Sequence, residues 1–400
     1  MRLPCSSDPI CSTSSWRTCW LPSRSRGAGM PEPKRLRVLQ IAHDHRGPFV
    51  HVCAEYVKAC EGHDVTTVYL AGDADDPARE TTGGDVRFLG FEPGDLRGIK
   101  WALLAKVRQL FREAHYDIVI AHRYKSIYVA GVMSAFYPVP CVIGVLHEHG
   151  VLSRPTRSLF FSFWRPGLHA VAVSDSVARS AAADCAALAD GRLSTLYHCI
   201  EPAQSDTWHS REEARQALGI DGSRFVLGSV GRLVSKKRYD LLIGALTRLG
   251  DAELVLVGDG RERARLEALV GKLGLSQQVR FVGHMSNASR YLRAFDAFVM
   301  TSGAEEAFGI VLLEAMLAGV PIVCSDAPGP AEALGDAGLQ FRDGDEASLA
   351  ERVAEMISAS PSTRAGYVKA GRERVLGRFS PGRFRDAFWS MPPVRALQNG

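Results

Sequence analysis

Short apolar strands alternating with amphipathic helices, in two successive series, predict an α/β protein of two open domains with parallel sheets. Three observations carry this. The chain has 400 residues, and domains of about 100–200 residues make two the natural number. Helical stretches separate the strand-like runs, as parallel strands require, because their crossovers are long. The alternation stops at Tyr197-His198-Cys199-Ile200-Glu201-Pro202, passes through a polar stretch at 203–209, and then restarts.

The first series opens with a strand over 36–42 that runs into His43-Asp44-His45-Arg46-Gly47-Pro48. A helix is expected over 50–60, then strands over 65–70, 117–121, 141–146 and 170–173. The second series places strands at 225–230, 253–257, 279–282, 297–300 and 321–324. The resulting units are 30–202 and 203–378. Open parallel sheets bind ligands beyond the carboxyl ends of their strands, and two such edges facing one another make a cleft.

Composition narrows the class. Hydrophobic residues make up 46% and charged residues 23%, enough to bury a large core. A formal charge of +4 without a sustained basic run argues against nucleic acid as a partner. The nine cysteines are scattered and form no C-x-x-C pair, which removes zinc and thioredoxin-type readings and fits a reducing cytoplasm. No apolar stretch reaches the roughly 18 residues of a membrane span. Residues 1–29 are rich in Ser, Cys and Arg and broken by Pro4, Pro9 and Pro22. They lack the apolar core of a signal peptide and are expected to be a disordered extension ahead of Met30.

The run from Ser302 to Met316 carries the strongest chemical signal. Glu306 stands in a loop after a strand, and Glu314 lies eight positions later in an apolar helix. Amides of Phe308, Gly309 and Ile310 are expected to open that helix, where unpaired N–H groups and the helix dipole favour anions. At 1.5 Å per residue the carboxylates would stand about 12 Å apart, a span that suits a nucleotide sugar. A lone glutamate in an apolar helix is more often structural, held by a protein partner, but the pair around a Phe-Gly helix start is a much narrower pattern and points to a ligand site.

Three further turns bear on this. Strand 225–230 ends in Gly231-Arg232-Leu233-Val234-Ser235-Lys236-Lys237. The glycine permits close backbone approach, and two cations there can clamp a diphosphate, although a solvated basic loop reads the same way in isolation. Gly258-Asp259-Gly260 lacks the remainder of a nicotinamide fingerprint. Gly283-His284-Met285 ends another strand and can offer main-chain groups to a base. His43, His45, His122, His147 and His149 all fall at expected strand ends, which is better explained by a cleft than by metal binding. His147-Glu148-His149 lacks the i, i+4 spacing of a helical metal site. No metal and no cofactor are expected.

Arg232…Lys237, then Glu306-x7-Glu314 with Phe308-Gly309, then Ala318-Gly319-Val320-Pro321-Ile322-Val323, resemble family 4 of the glycosyltransferases. Ala172-Val173-Ser174 and the strand before His122 resemble its first half. The resemblance covers roughly residues 36–390 and implies the GT-B fold of two facing Rossmann-like domains. The first domain would bind the acceptor and the second the nucleotide sugar, with residues 379–400 a helix crossing back to the first. The implied reaction is retaining, metal-independent transfer of a hexose from a nucleotide-diphosphate sugar, a UDP-sugar above all, to a glycan or lipid-linked acceptor such as a lipopolysaccharide core.

By the same resemblance Arg232 and Lys237 hold the diphosphate, Glu306 the sugar hydroxyls and Glu314 the ribose. Amides from Phe308 to Val311 bind sugar and phosphate, Gly47 belongs to the first donor loop, and His122 stands near the reacting carbon. The chain departs from the family in Arg46-Gly47-Pro48, in Arg238 where glycine is common, in His198-Cys199-Ile200-Glu201, and in Ala307.

Residues 97–112 combine Arg97, Lys100, Lys106, Arg108 and Arg112 with Trp101, Leu103, Leu104, Val107, Leu110 and Phe111. Residues 154–165 repeat the theme. Two readings stand: peripheral contact with an anionic membrane at the cytoplasmic face, or ordinary helices packing on a sheet. Two other functions fit the same residues, a nucleotide-sugar epimerase and a non-catalytic, membrane-associated nucleotide-sugar-binding protein.

Overall fold

A computed structural model describes residues 35–47, 49–92, 94–96, 101–163, 168–189 and 191–398. The expected disordered extension over 1–29 lies outside them, as do Pro48, Arg97, Lys100, Trp164 and Arg165.

Among the described residues two parallel sheets form. The first contains β1 (Arg37–Ala42), β2 (Asp64–Ala71), β3 (Asp85–Phe91), β4 (Ile118–His122), β5 (Cys141–Leu146), β6 (Leu168–Ala172) and β7 (Leu193–Thr195), in the order β3-β2-β1-β4-β5-β6-β7. The second contains β8 (Val226–Val230), β9 (Glu253–Val257), β10 (Val279–Gly283), β11 (Ala297–Met300), β12 (Ile322–Ser325) and β13 (Leu339–Phe341), ordered β10-β9-β8-β11-β12-β13. Chain order reverses between β1 and β4, and again between β8 and β11. Those reversals are the crevices where doubly wound sheets take ligands.

Burial explains which strands the sequence reveals. Every residue of β4, β5, β9 and β11 is buried, because helices cover both faces of a central parallel strand, and such strands read as unbroken apolar runs. The sequence reading missed β3, β7 and β13. All three are sheet edges and are short or partly exposed, so they lack that signature.

Alternate residues of the second sheet feed two apolar clusters. Val226 and Phe298 pack with Leu312 and Phe308 on one face, and Leu227 and Val299 with Leu242 and Val353 on the other, the period-two pattern of a pleated strand. The first sheet's core also takes Phe384, Phe388, Met391 and Val394 from near the chain's end. Helix Pro381–Ser390 therefore lies on the first domain, where Trp389 Nε1 donates to the Ala59 carbonyl at 2.7 Å.

Candidate functional site

Three strand ends of the second sheet are tied together by glycines. Gly231 N donates to the Val257 carbonyl at 3.0 Å and Gly258 N to the Gly283 carbonyl at 2.8 Å. A Cβ on Gly258 would stand 2.0 Å from the Gly231 carbonyl oxygen, and one on Gly260 would stand 2.4 Å from that of Leu233. These glycines are needed for backbone packing at the strand ends.

Lys237 closes the turn that follows β8. Its carbonyl accepts from Thr301 Oγ1 at 2.7 Å, which fixes the turn to the end of β11 across the reversal. Arg238 comes next with φ 49°, in the left-handed region, and an L-residue there costs about 1–2 kcal/mol. This accounts for glycine being usual in the family at that point. Here the arginine is retained by an ion pair with Asp343.

Lys237 Nζ lies 2.6 Å from Glu306 Oε2, with both side chains largely covered. Burial alone would push the Glu306 carboxyl up, but Lys237 and Lys236 hold it below its ordinary value. Arg232 stands exposed past the end of β8, its guanidinium without a protein partner among the described residues.

The acidic loop corrects one expectation. Helix Ile310–Ala318 begins after Gly309, which has φ 95° and provides no side-chain cap. Phe308 lies ahead of the helix and is buried, its ring packed on Tyr197 and Phe379 at centroid distances of 5.7 and 5.4 Å. The amides that open the helix are therefore those of its first turn, from Ile310 and Val311, and Phe308 and Gly309 precede it. Because Glu306 precedes the helix by four positions, helical rise does not set its distance from Glu314.

Ile310 and Glu314, at i and i+4 on one helix face, line a cavity of about 1010 Å³ together with Glu55, Lys58, Cys199 and Asn287. Val311 and Lys237 line a separate small crevice. The structure thus joins Lys237 to Glu306 directly and turns Glu314 toward the larger space. Desolvation pushes the Glu314 carboxyl up to about 7, without a protein partner among the described residues. His284 is exposed, while Met285 is half-buried and packs on the core, so this turn has main-chain groups and the imidazole to offer.

In the first sheet, Gly47 has φ 62° and open space around it, so its requirement is conformational. Asp44 accepts from His43 Nδ1 at 2.8 Å and pairs with Arg123 at 3.3 Å, bridging the ends of β1 and β4. His122 is 0% exposed. Its Nε2 lies 3.2 Å from Gln40 Oε1 and its Nδ1 3.1 Å from His147 Nε2. Burial lowers its pKa to about 3, so the ring is neutral and both nitrogens are engaged. His122 consequently does not reach open space itself, and half-buried His147 is the imidazole it orients.

Some residues at this site escaped the sequence reading. Glu55 and His198 form a covered pair at 3.0 Å, and the signal was available: a lone acid in an amphipathic helix and the departure at His198. Gln40 and Glu332 gave no local signal. Among the described residues no group of three His, Cys, Asp or Glu side chains could hold a metal ion.

The basic helix also resolves in part. In Trp101–Glu113 the residues Leu103, Val107, Leu110 and Phe111 are buried against the first core, Lys106 donates to the Leu89 carbonyl at 2.8 Å, and Arg108 reaches Tyr137. Its apolar face thus packs on its own domain. Trp101, Phe136, Leu159 and Phe163 remain exposed, at 80%, 73%, 56% and 76%.

Two family models match the chain, Glycosyltransferase Family 4 over residues 49–204 and Glycosyl transferases group 1 over residues 210–374. The chain belongs to this glycosyltransferase family. Its curated relatives include the lipopolysaccharide core biosynthesis glycosyltransferase LpsE of Rhizobium meliloti, 38% identical over 176 residues, 44% of this chain and 51% of LpsE. Another is the N-acetyl-alpha-D-glucosaminyl L-malate synthase of Bacillus anthracis, 31% identical over 194 residues, 47% of this chain and 50% of the synthase. The matched stretch spans about half the length of these relatives.

Solved structures similar to this glycosyltransferase-family chain include a glycosyltransferase from Rickettsia africae, with TM-score 0.79 and 14% identity, covering 92% of this chain and 100% of that one. Anabaena HepE in complex with UDP and glucose has TM-score 0.76 and 22% identity, with coverage of 92% and 100%. At these identities the likeness establishes the fold, which is GT-B.

Proposed function

We propose that the chain is a retaining glycosyltransferase that moves a hexose from a nucleotide-diphosphate sugar to a hydroxyl of a glycan or lipid-linked acceptor. The observation that carries this reading is the Lys237–Glu306 pair, 2.6 Å apart beside an uncapped helix N-terminus at the reversal of the second sheet. A cation from the turn after β8, with a carboxylate and open amides from the segment after β11, can hold phosphate and sugar together.

In this reading Lys237 and exposed Arg232 hold the diphosphate and stabilise it as it leaves, which is where charge develops. Glu306 accepts from sugar hydroxyls, Glu314 accepts from ribose hydroxyls in the large cavity, and the Ile310 and Val311 amides face the phosphates. Gly283-His284-Met285 flanks the base and Gly47 closes the donor loop of the first domain. His122 acts as a positioning group through His147. A uridine nucleotide is the first donor to try, since HepE was solved with UDP and glucose. A surface-glycan acceptor accords with LpsE.

Among the described residues no helix is long and apolar enough to cross a membrane. Exposed Phe136, Leu159 and Phe163 support peripheral contact with a lipid surface that would present such an acceptor.

The test is to screen the purified protein against uridine-, guanosine- and adenosine-diphosphate sugars for release of free nucleotide, with and without glycan acceptors. Acceptor-stimulated release is expected from one nucleotide class. Conversion of the donor sugar without release would identify an epimerase, and binding without either reaction would leave a non-catalytic protein.

A further inference from the structure

The acidic loop that carries Glu306 is held from both domains. On the second-domain side, Gly329 of helix Pro328–Leu334 lies so close that a Cβ there would stand 2.2 Å from the Glu306 carbonyl oxygen and 2.8 Å from that of Ala307. On the other side, Ser174 Oγ donates to the Ala307 carbonyl at 2.6 Å. Ser174 is fully buried at the start of first-domain helix Asp175–Asp184, and it also caps that helix by accepting from Val177 N.

One turn beyond Gly329 the same helix provides Glu332. Its Oε1 accepts from Asp175 N at 2.7 Å and its Oε2 from Ser176 N at 3.0 Å. A carboxylate from the second domain therefore sits on the N-terminal amides of a ten-residue first-domain helix, a charge-assisted contact favoured by the helix dipole. Arg374 steadies the Glu332 segment by donating to the carbonyls of Glu332 and Ala333 at 2.8 Å each.

Hydroxyl bookkeeping gives the contact a direction. Ser174 has one proton, and it goes to Ala307 O. The 2.9 Å contact with Ser176 Oγ must then be donated by Ser176, whose own oxygen accepts from His149 Nε2 at 3.0 Å. The chain runs from His149 through Ser176 and Ser174 to the loop between Glu306 and Phe308.

We propose that Ser174 and Glu332 are positioning residues for glycosyl transfer: docking of the Asp175–Asp184 helix on Glu332 brings Ser174 onto the Ala307 carbonyl and sets the Glu306 loop in its working geometry. The donor loop is then complete only while the domains are closed on one another. The proposal rests on the glycosyl-transfer reading for its kinetic consequence, whereas the docking contact itself does not.

Two measurements test it. In steady-state kinetics, Ser174→Ala is expected to lower kcat about tenfold, the scale of one lost hydrogen bond, while donor KM moves less than about threefold. Ser174→Thr, which keeps the hydroxyl, is expected to restore kcat. Small-angle scattering of the ligand-free protein is expected to give Glu332→Ala a larger radius of gyration than the wild type. A Ser174→Ala kcat within about twofold of wild type, or a threonine variant as impaired as the alanine one, overturns the positioning role. An unchanged radius of gyration overturns the lock. If no donor turns over with wild-type protein, the proposed activity has failed, and scattering still decides the docking contact.

Discussion

Lys237 Nζ stands 2.6 Å from Glu306 Oε2, and each side chain is under one-fifth exposed. Neither charge is well hydrated, so each depends on the other. Truncating one partner leaves an uncompensated charge, whereas removing both does not. Lys237→Ala is expected to destabilise the fold by about 3 kcal/mol, and adding Glu306→Gln should recover much of that loss. Denaturant unfolding of the two single variants and the double variant checks this. A double variant less stable than Lys237→Ala contradicts the pairing.

Glu314 gives a pH dependence with a definite sign. Its carboxyl is raised by desolvation to about 7 from an ordinary value of 4.5. Ionising it in the folded chain is unfavourable, so its contribution to stability is greatest below the unfolded value and falls as pH rises from about 4.5 to about 7. Hydroxyl donors from a ribose favour the ionised form. Nucleotide affinity should accordingly weaken as pH falls through about 7, and Glu314→Gln should flatten that profile. Calorimetric titration with a nucleoside diphosphate from pH 5.5 to 8.5 checks both points. A profile identical in the glutamine variant removes Glu314 from the site.

Gly258 and Gly250 provide a controlled comparison. Both have positive φ, but a Cβ at Gly250 meets nothing within 4 Å, whereas one at Gly258 drives into the Gly231 carbonyl. Gly258→Ala should cost about 3 kcal/mol or more and Gly250→Ala about 1 kcal/mol, and Gly258→Ala alone should abolish nucleotide binding. Equal thermal shifts for the two would show that the strand ends are not packed as described.

The exposed apolar side chains offer a test of lipid contact. Leu159→Glu with Phe163→Glu alters two positions that are 56% and 76% exposed, so stability should hardly change. Wild type is expected to sediment with anionic liposomes, and the double variant to lose that bound fraction. Retention of binding by the double variant would remove this surface from any membrane role.

Much of this fold was legible because central parallel strands are buried on both faces. The expected bounds of β5, β9 and β11 coincide with those in the structure, whereas the edge strands β3, β7 and β13 contact one neighbour each and leave no apolar run. Site residues divide similarly. Lys237 and Glu306 belong to short local patterns, and they meet. Glu332 reaches Asp175 across 157 positions of chain, and no local pattern encodes such a contact. The position of His122 at the end of β4 was readable, but not its burial, because the residues that enclose it, Gln40 in β1 and His147 just past β5, come from distant parts of the chain. The helix start was misplaced by two residues because Phe308 reads as the first apolar helical position, whereas Gly309 adopts a left-handed φ.

The central claim is that positive charge at Lys237 is needed as the nucleotide diphosphate departs. The most direct measurement is single-turnover and steady-state nucleotide release by wild type and Lys237→Ala, at a temperature where both are folded, with the donor identified in the screen. We expect kcat to fall by roughly a hundredfold or more, with donor KM changed far less, the pattern of an interaction made in the transition state. A Lys237→Ala enzyme turning over at near the wild-type rate would contradict it.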